Sequence, residues 1–233
     1  CGCCVSGCPV GAHTLDAEHI HRFDRAKCLS CGKCVSTCYN GALSLFGRTV
    51  TVEELLPELL ADRDFYESSG GGITLSGGEC LLQADFCAAL LMRLKTEGLA
   101  TAVDTCGFVS KEAFDKVIPY TDLFLYDIKA IHKEVHIKCT GHSNVRILEN
   151  LKYLESLGKA VEIRVPYVPG WNDGEKDAIL EYLKGFTNLT YIRILPYHNF
   201  AGTKYAALGM ANTLPEKLPD KREIDRFQAE ADG

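Results

Sequence analysis

The sequence has no apolar run approaching 18 residues, so no segment reads as a bilayer-spanning helix. No basic segment leads into a short apolar one, so no secretory signal is expected, and the expected setting is cytoplasmic. Positive charge is not in excess. The 25 Lys and Arg against 31 Asp and Glu leave a formal charge of −6, which removes the electrostatic case for nucleic acid or an anionic membrane surface. Cysteine is sparse beyond residue 38, where only Cys80, Cys87, Cys106 and Cys139 occur. The other eight of the twelve crowd into residues 1–38 at gaps of two and three. That clustering excludes a disulfide scaffold, in which cysteines are spread, and points to metal. The first residue is Cys rather than Met, which suggests a fragment or a processed start.

Two regions are written in different patterns, and they divide the chain into expected domains at residues 1–47 and 48–233. The first is short, turn-rich and punctuated by cysteine. From Thr51 onward helical and strand patterns alternate. Thr51 and Glu54 form a T-x-x-E capping box, with Val52, Leu55, Leu56, Leu59 and Leu60 on one helical face. Strands are predicted at about 73–76, 100–105, 122–128, 160–166 and 190–196. Helices are predicted near 84–95, 111–118, 144–157 and 175–185, the third of them stopping at Gly158. Alternation at this spacing builds a parallel α/β sheet, either doubly wound or part of a barrel. Each strand runs out into polar residues at its carboxyl end: Glu79, then Asp104 and Thr105, then Asp127 and Lys129, then Arg164, then His198. In parallel folds these ends share one ligand crevice, and both signs of charge there suit a zwitterionic ligand.

Cys28, Cys31, Cys34 and Cys38 give C-x2-C-x2-C-x3-C, the bacterial ferredoxin run, in which the fourth thiolate serves the other of two [4Fe–4S] clusters. A zinc ribbon would show two C-x2-C pairs well apart, so the continuous run favours iron–sulfur. Cys1, Cys4 and Cys8 repeat the second, third and fourth members of that run. Cross-ligation then gives one cluster Cys28, Cys31, Cys34 and Cys8, and the other Cys1, Cys4 and Cys38 plus a cysteine expected three residues before Cys1, with Cys3 either spare or standing in as a ligand. Cys80, Cys87, Cys106 and Cys139 read as ordinary core or surface thiols.

With GGGITLSGGE, VDTCGF, YDIK, IRVPYVPG and LPYHNFAGTKY following the cysteine module in order, the chain resembles the glycyl radical enzyme activating enzymes of the radical SAM superfamily. The resemblance implies a partial parallel (β/α)6 barrel lacking its first strand, with a ferredoxin-like insert. It implies that Gly77, Gly78 and Glu79 receive the amino group of S-adenosylmethionine (SAM), and that Asp104 and Thr105 lie near its carboxylate. It further implies that Asp127 and Lys129 serve SAM and turnover, with Arg164 and His198 as further SAM contacts. A reduced [4Fe–4S] cluster would cleave SAM to a 5′-deoxyadenosyl radical that takes a hydrogen from the C-terminal glycine loop of a partner glycyl radical enzyme. Flavodoxin or ferredoxin would supply the electron. Three departures stand out. The C-x3-C-x2-C run for the SAM-binding cluster is absent from these 233 residues, Cys80 follows GGE where proline is common, and Tyr39 follows Cys38 likewise. One truncation would account for the missing run, the missing first strand and the missing ferredoxin cysteine, leaving a fragment that does not cleave SAM. An electron carrier with a silent α/β domain, a radical SAM enzyme acting on a small molecule, and a zinc-binding interaction module are the alternatives.

Overall fold

A computed structural model describes residues 1–213 and 215–232. The chain forms two units, one of Cys1–Thr51 with Tyr205–Ala211, the other of Val52–Lys204 with the residues from Asn212 on.

In the first unit the cysteine repeat becomes a repeat in space. Helices α1 (Cys3–Ser6) and α2 (Lys33–Ser36) each begin after a left-handed glycine, Gly2 at φ 82° and Gly32 at φ 73°. A Cβ on Gly32 would lie 2.9 Å from Leu45 Cδ1, and one on Gly2 would lie 3.3 Å from Leu15 Cδ1, the same contact in each half. A short antiparallel hairpin joins the halves, β1 (His13–Leu15) against β2 (His21–Phe23). All the cysteines are free thiols.

The second unit opens with α3 (Val52–Leu60) and α4 (Arg63–Ser69). The predicted apolar face of α3 packs with Ile73, Leu90, Leu94 and Leu99 in a small core of its own. Then follow β3 (Gly72–Leu75), α5 (Ala84–Thr96), β4 (Ala100–Thr105), α6 (Lys111–Val117) and β5 (Leu123–Asp127). After them come α7 (Lys133–Thr140), α8 (Val145–Ser156), β6 (Val161–Tyr167), α9 (Lys176–Leu183) and β7 (Leu189–Pro196). Helices α10 (Gly202–Leu208) and α11 (Lys221–Ala231) complete the chain. All five predicted strands form, each within a residue of its expected bounds. Helices α4, α7, α10 and α11 were not anticipated; their spans lack the long apolar periodicity that marks α5 and α8.

The five strands β3 to β7 are parallel and lie side by side in chain order. Sequential order without reversal is the order of a barrel wall; a doubly wound sheet reverses at its middle. The two faces of this wall differ. Residues 101, 103 and 105, 124 and 126, and 161, 163 and 165 are buried on one side against Leu91, Phe114, Leu151, Leu154, Ile179 and Phe227 of the helices. Each such apolar side chain contributes about 1.5–3 kcal/mol. The alternating set, including Asp104, Leu125, Asp127, Glu162 and Arg164, is only half-buried. Strand alternation therefore sends the helix-packing residues outward and the charged ones to the inner face. No helix among the described residues is long and apolar enough to cross a membrane.

Candidate functional site

On the inner face charges occur in pairs of opposite sign, Glu162 near the amino end of β6 and the others farther along their strands. Arg164 Nη1 donates to Asp104 Oδ2 at 3.0 Å, and Ser76 Oγ donates to the same oxygen at 2.8 Å. Lys129 Nζ lies 3.0 Å from Asp127 Oδ2, and Arg193 Nε lies 2.8 Å from Glu162 Oε1. The register sets Asp104, Leu125 and Glu162 in one row and Asp127, Arg164 and Arg193 in the next on the same face, so each arginine reaches back one row to its carboxylate. Ser76, Glu162 and Arg193 were missed by sequence reasoning, which looked only at the last residues of each strand.

The protein does not saturate this array. Both partners of Asp104 use Oδ2, so Oδ1 has none among the described residues, and the same holds for Oδ1 of Asp127. Arg164 Nε is shielded from water and hydrogen-bonds to nothing among the described residues. Native interiors seldom leave such a donor unpaired. Open carboxylate oxygens in an array that also holds the cations of Arg164 and Lys129 fit a ligand carrying both an ammonium and a carboxylate.

Glu79 is placed differently from Asp104. Its carboxylate accepts from Thr105 Oγ1 at 2.8 and 2.9 Å, from Cys106 N at 2.9 Å and from Leu81 N at 3.1 Å. It therefore ties the end of β3 to the end of β4. Thr105 is buried by the same contacts, and its hydroxyl also accepts from Gly107 N at 2.9 Å. Gly77 and Gly78 are exposed, and Gly77 has φ 145°, a conformation that favours glycine and leaves the backbone open to close approach. His198 lies beyond β7, exposed, with its ring 4.6 Å from that of Phe200. None of its described contacts joins it to Asp104, Asp127, Lys129 or Arg164.

The thiols near this end are held protonated. A hydrogen bond with Cys87, burial, and the carboxylates of Glu79 and Asp104 push Cys80 far up. Burial and then Glu79 push Cys106 up. A raised pKa disfavours the thiolate, the form that attacks and ligates.

In the cysteine unit, Cys8, Cys28, Cys31 and Cys34 line one cavity of about 530 Å³, together with Phe23, Leu29, Val35 and Phe46. This is the cross-ligated set: three thiols from the second run and one from the first. Backbone N–H groups already face sulfur, Ala12 N to Cys8 at 3.2 Å and Ser30 N to Cys28 at 3.3 Å. Backbone N–H groups, led by that of Val10, hold the Cys8 thiol below its usual range against the opposing effect of burial. A four-thiolate, largely apolar chamber with N–H donors to sulfur fits a [4Fe–4S] cluster. Cys1, Cys4 and Cys38 do not line this cavity. Cys38 receives Ala42 N at 3.3 Å, repeating the Cys8 contact. The Cys4 sulfur sits with His13 and His21, the three donor atoms within 4.8 Å of one another. The histidines meet through the hairpin register, which no local signal in the sequence disclosed.

Residues 36–183 match the radical SAM superfamily, and residues 21–44 match the 4Fe-4S binding domain. Fold and site together thus define a radical SAM oxidoreductase that uses iron–sulfur clusters and SAM. The chain is 43% identical to the choline trimethylamine-lyase activating enzyme of Oleidesulfovibrio alaskensis, over 99% of this chain and 76% of that protein. It is 40% identical to the trans-4-hydroxy-L-proline dehydratase activating enzyme of Clostridioides difficile, over 85% of this chain and 79% of that protein. A domain of the pyruvate-formate lyase-activating enzyme from Bacteroides vulgatus superposes with a TM-score of 0.56 at 27% identity, covering 67% of this chain and 90% of that one. The chain belongs to the glycyl radical enzyme activating enzymes.

Proposed function

We propose that the inner-face array binds SAM by its methionyl end, with Asp104 and the Gly77–Gly78 backbone accepting from the ammonium and Arg164 and Lys129 facing the carboxylate. The observation that carries this is the open oxygen on each of Asp104 and Asp127 in an inner-face array that also holds Arg164 and Lys129. Asp127 pairs with Lys129 at 3.0 Å where β5 ends. Thr105 and Glu79 hold the ends of β3 and β4 together beneath the ligand, and His198 contributes from the loop after β7.

A reduced [4Fe–4S] cluster with an iron open to SAM would supply the electron for cleavage to methionine and a 5′-deoxyadenosyl radical, and that radical would take a hydrogen atom from a backbone glycine of the partner. The partner is a glycyl radical enzyme presenting its C-terminal glycine loop, in a cytoplasmic setting, and the electron donor is of the flavodoxin or ferredoxin kind. Relatives of similar identity serve different partner enzymes, so the partner is assigned by class. Cys8, Cys28, Cys31 and Cys34 would hold one cluster of the ferredoxin-like unit, and Cys1, Cys4 and Cys38 would contribute to the other. No residue of this chain is assigned to a C-x3-C-x2-C site.

Equilibrium dialysis of anaerobically prepared protein against labelled SAM tests the reading. Saturable binding that is weakened about tenfold by Asp104→Asn supports it. Binding that is absent, or indifferent to that substitution, overturns it.

A further inference from the structure

The segment that carries Lys129 is anchored by buried polar side chains from elsewhere in the sequence. Strand β5 ends at Asp127, and Ile128 N still donates to Arg164 O at 2.9 Å. Beyond that point the ladder to β6 stops, and side chains take its place. Asn172 Nδ2 donates to Lys129 O at 2.8 Å and to Pro166 O at 2.7 Å, while its Oδ1 accepts from Val168 N at 2.7 Å. Asn144 Nδ2 donates to Ala130 O at 3.0 Å and to Ile131 O at 2.7 Å. Glu175 Oε2 accepts from Ile131 N at 2.8 Å and His132 N at 2.9 Å, and its Oε1 is 2.8 Å from His132 Nδ1. All three side chains are almost fully buried.

Burying two amides and a carboxylate is unfavourable unless their bonds are made, and here they are. An ordinary exit from a strand passes into water and needs no such anchorage. The consequence is local. Ile128 and Ala130 are held inside, both nearly inaccessible, so Lys129 between them is directed to the charged face. Asn172 acts as a substitute rung between the extensions of β5 and β6, and it is the only one of the three that touches Lys129 itself.

We propose that Asn172, supported by Asn144 and Glu175, is a positioning residue that fixes the backbone of Lys129 and thereby the reach of its ammonium toward bound SAM. This rests on the assignment of Lys129 to the SAM site. Asn172 acts through Lys129, so its loss has no further effect once the lysine side chain is gone.

The test is a double-mutant cycle on anaerobically prepared protein, with SAM binding read by equilibrium dialysis and folding read by thermal midpoint. Asn172→Ala is expected to weaken SAM binding about tenfold, the effect of a lost buried hydrogen bond. Lys129→Ala is expected to weaken it at least as much, and the double variant no more than Lys129→Ala alone. Asn172→Asp restores the acceptor for Val168 N but not the donor to Lys129 O, and is expected to bind SAM as poorly as Asn172→Ala. Losses that add in the double variant, or rescue by Asn172→Asp, assign Asn172 a general structural role and overturn the proposal. Wild-type binding by Asn172→Ala while Lys129→Ala is impaired overturns the proposal alone. Wild-type binding by Lys129→Ala overturns both the proposal and the SAM assignment of that lysine. Should Asn172→Ala fail to fold, Glu175→Gln replaces it in the cycle, with a loss of about threefold expected and the same non-additivity required.

Discussion

Arg164 reaches across β5 to Asp104, its Nη1 at 3.0 Å from Oδ2, while its Nε is left without a partner. The guanidinium thus ties β6 to β4 through Nη1 and carries further N–H donors beside that one. Lysine would keep the charge and lose the second donor. Arg164→Lys is therefore expected to weaken SAM binding about fivefold to tenfold while shifting the thermal midpoint by no more than about 2 °C, because a half-exposed pair contributes little to stability. Dialysis and a thermal melt on the same preparation check it, and equal binding by the two proteins would refute it.

The cavity lined by Cys8, Cys28, Cys31 and Cys34 makes a prediction about which thiols act together. Cys8→Ser and Cys34→Ser are expected to lower the iron of an anaerobically reconstituted sample by the same amount, about four atoms per chain. Cys8→Ser leaves the other cysteines of its own run in place, so a loss matching that of Cys4→Ser instead, with Cys34→Ser differing, would mean ligation within each run. Iron counting with reduced-state electron paramagnetic resonance separates the two patterns.

Gly107 adopts φ 72°, and a Cβ on it would stand 1.8 Å from Tyr126 Oη. That hydroxyl is buried and donates to Ile147 O at 2.7 Å, so it has nowhere to retreat. Gly107→Ala is expected to cost about 3 kcal/mol, from left-handed strain and overpacking combined. Urea unfolding checks the figure, and a loss below about 1 kcal/mol would show that the turn relaxes.

Glu175 links stability to acid. Burial raises its affinity for a proton, but the N–H of His132, the His132 ring and the N–H of Ile131 outweigh it and hold the carboxyl below the usual range. A depressed folded value means that the stabilisation is complete above the ordinary glutamate range and is lost as pH falls through it toward the depressed value. Between about pH 5 and pH 3 the urea midpoint of the wild type is expected to fall more steeply than that of Glu175→Gln. Parallel slopes would show that the carboxylate is not what the acid titrates.

The repeated C-x2-C-x3-C spacing, the five strand patterns and the polar residues ending them are local signals, and each reappears in the structure close to its predicted place. The apolar face of α3 is another: Leu56 and its neighbours pack together as their spacing requires. Less was legible where the relevant partner lies far along the chain. Asn144 and Glu175 open predicted helices and Asn172 falls between predicted elements, and their shared attachment to residues 129–132 exists only once β5 and β6 are paired. Ser76, Glu162 and Arg193 joined the charged face for the same reason. Glu79 looked like a free acceptor, but the four contacts on its carboxylate belong to Thr105, Cys106 and Leu81.

By itself, the sequence determined the kind of chemistry, because thiol spacing, strand periodicity and the residue types at strand ends depend only on near neighbours along the chain. Tertiary structure decided which of those groups meet. The parallel register set Arg164 against Asp104, the closing of the two cysteine runs brought Cys8 to Cys28, Cys31 and Cys34, and the turn after β6 brought Asn172 to Lys129. Such contacts form between atoms tens of residues apart, and only the packing of the sheet and its helices brings them within the 3 Å over which a hydrogen bond acts.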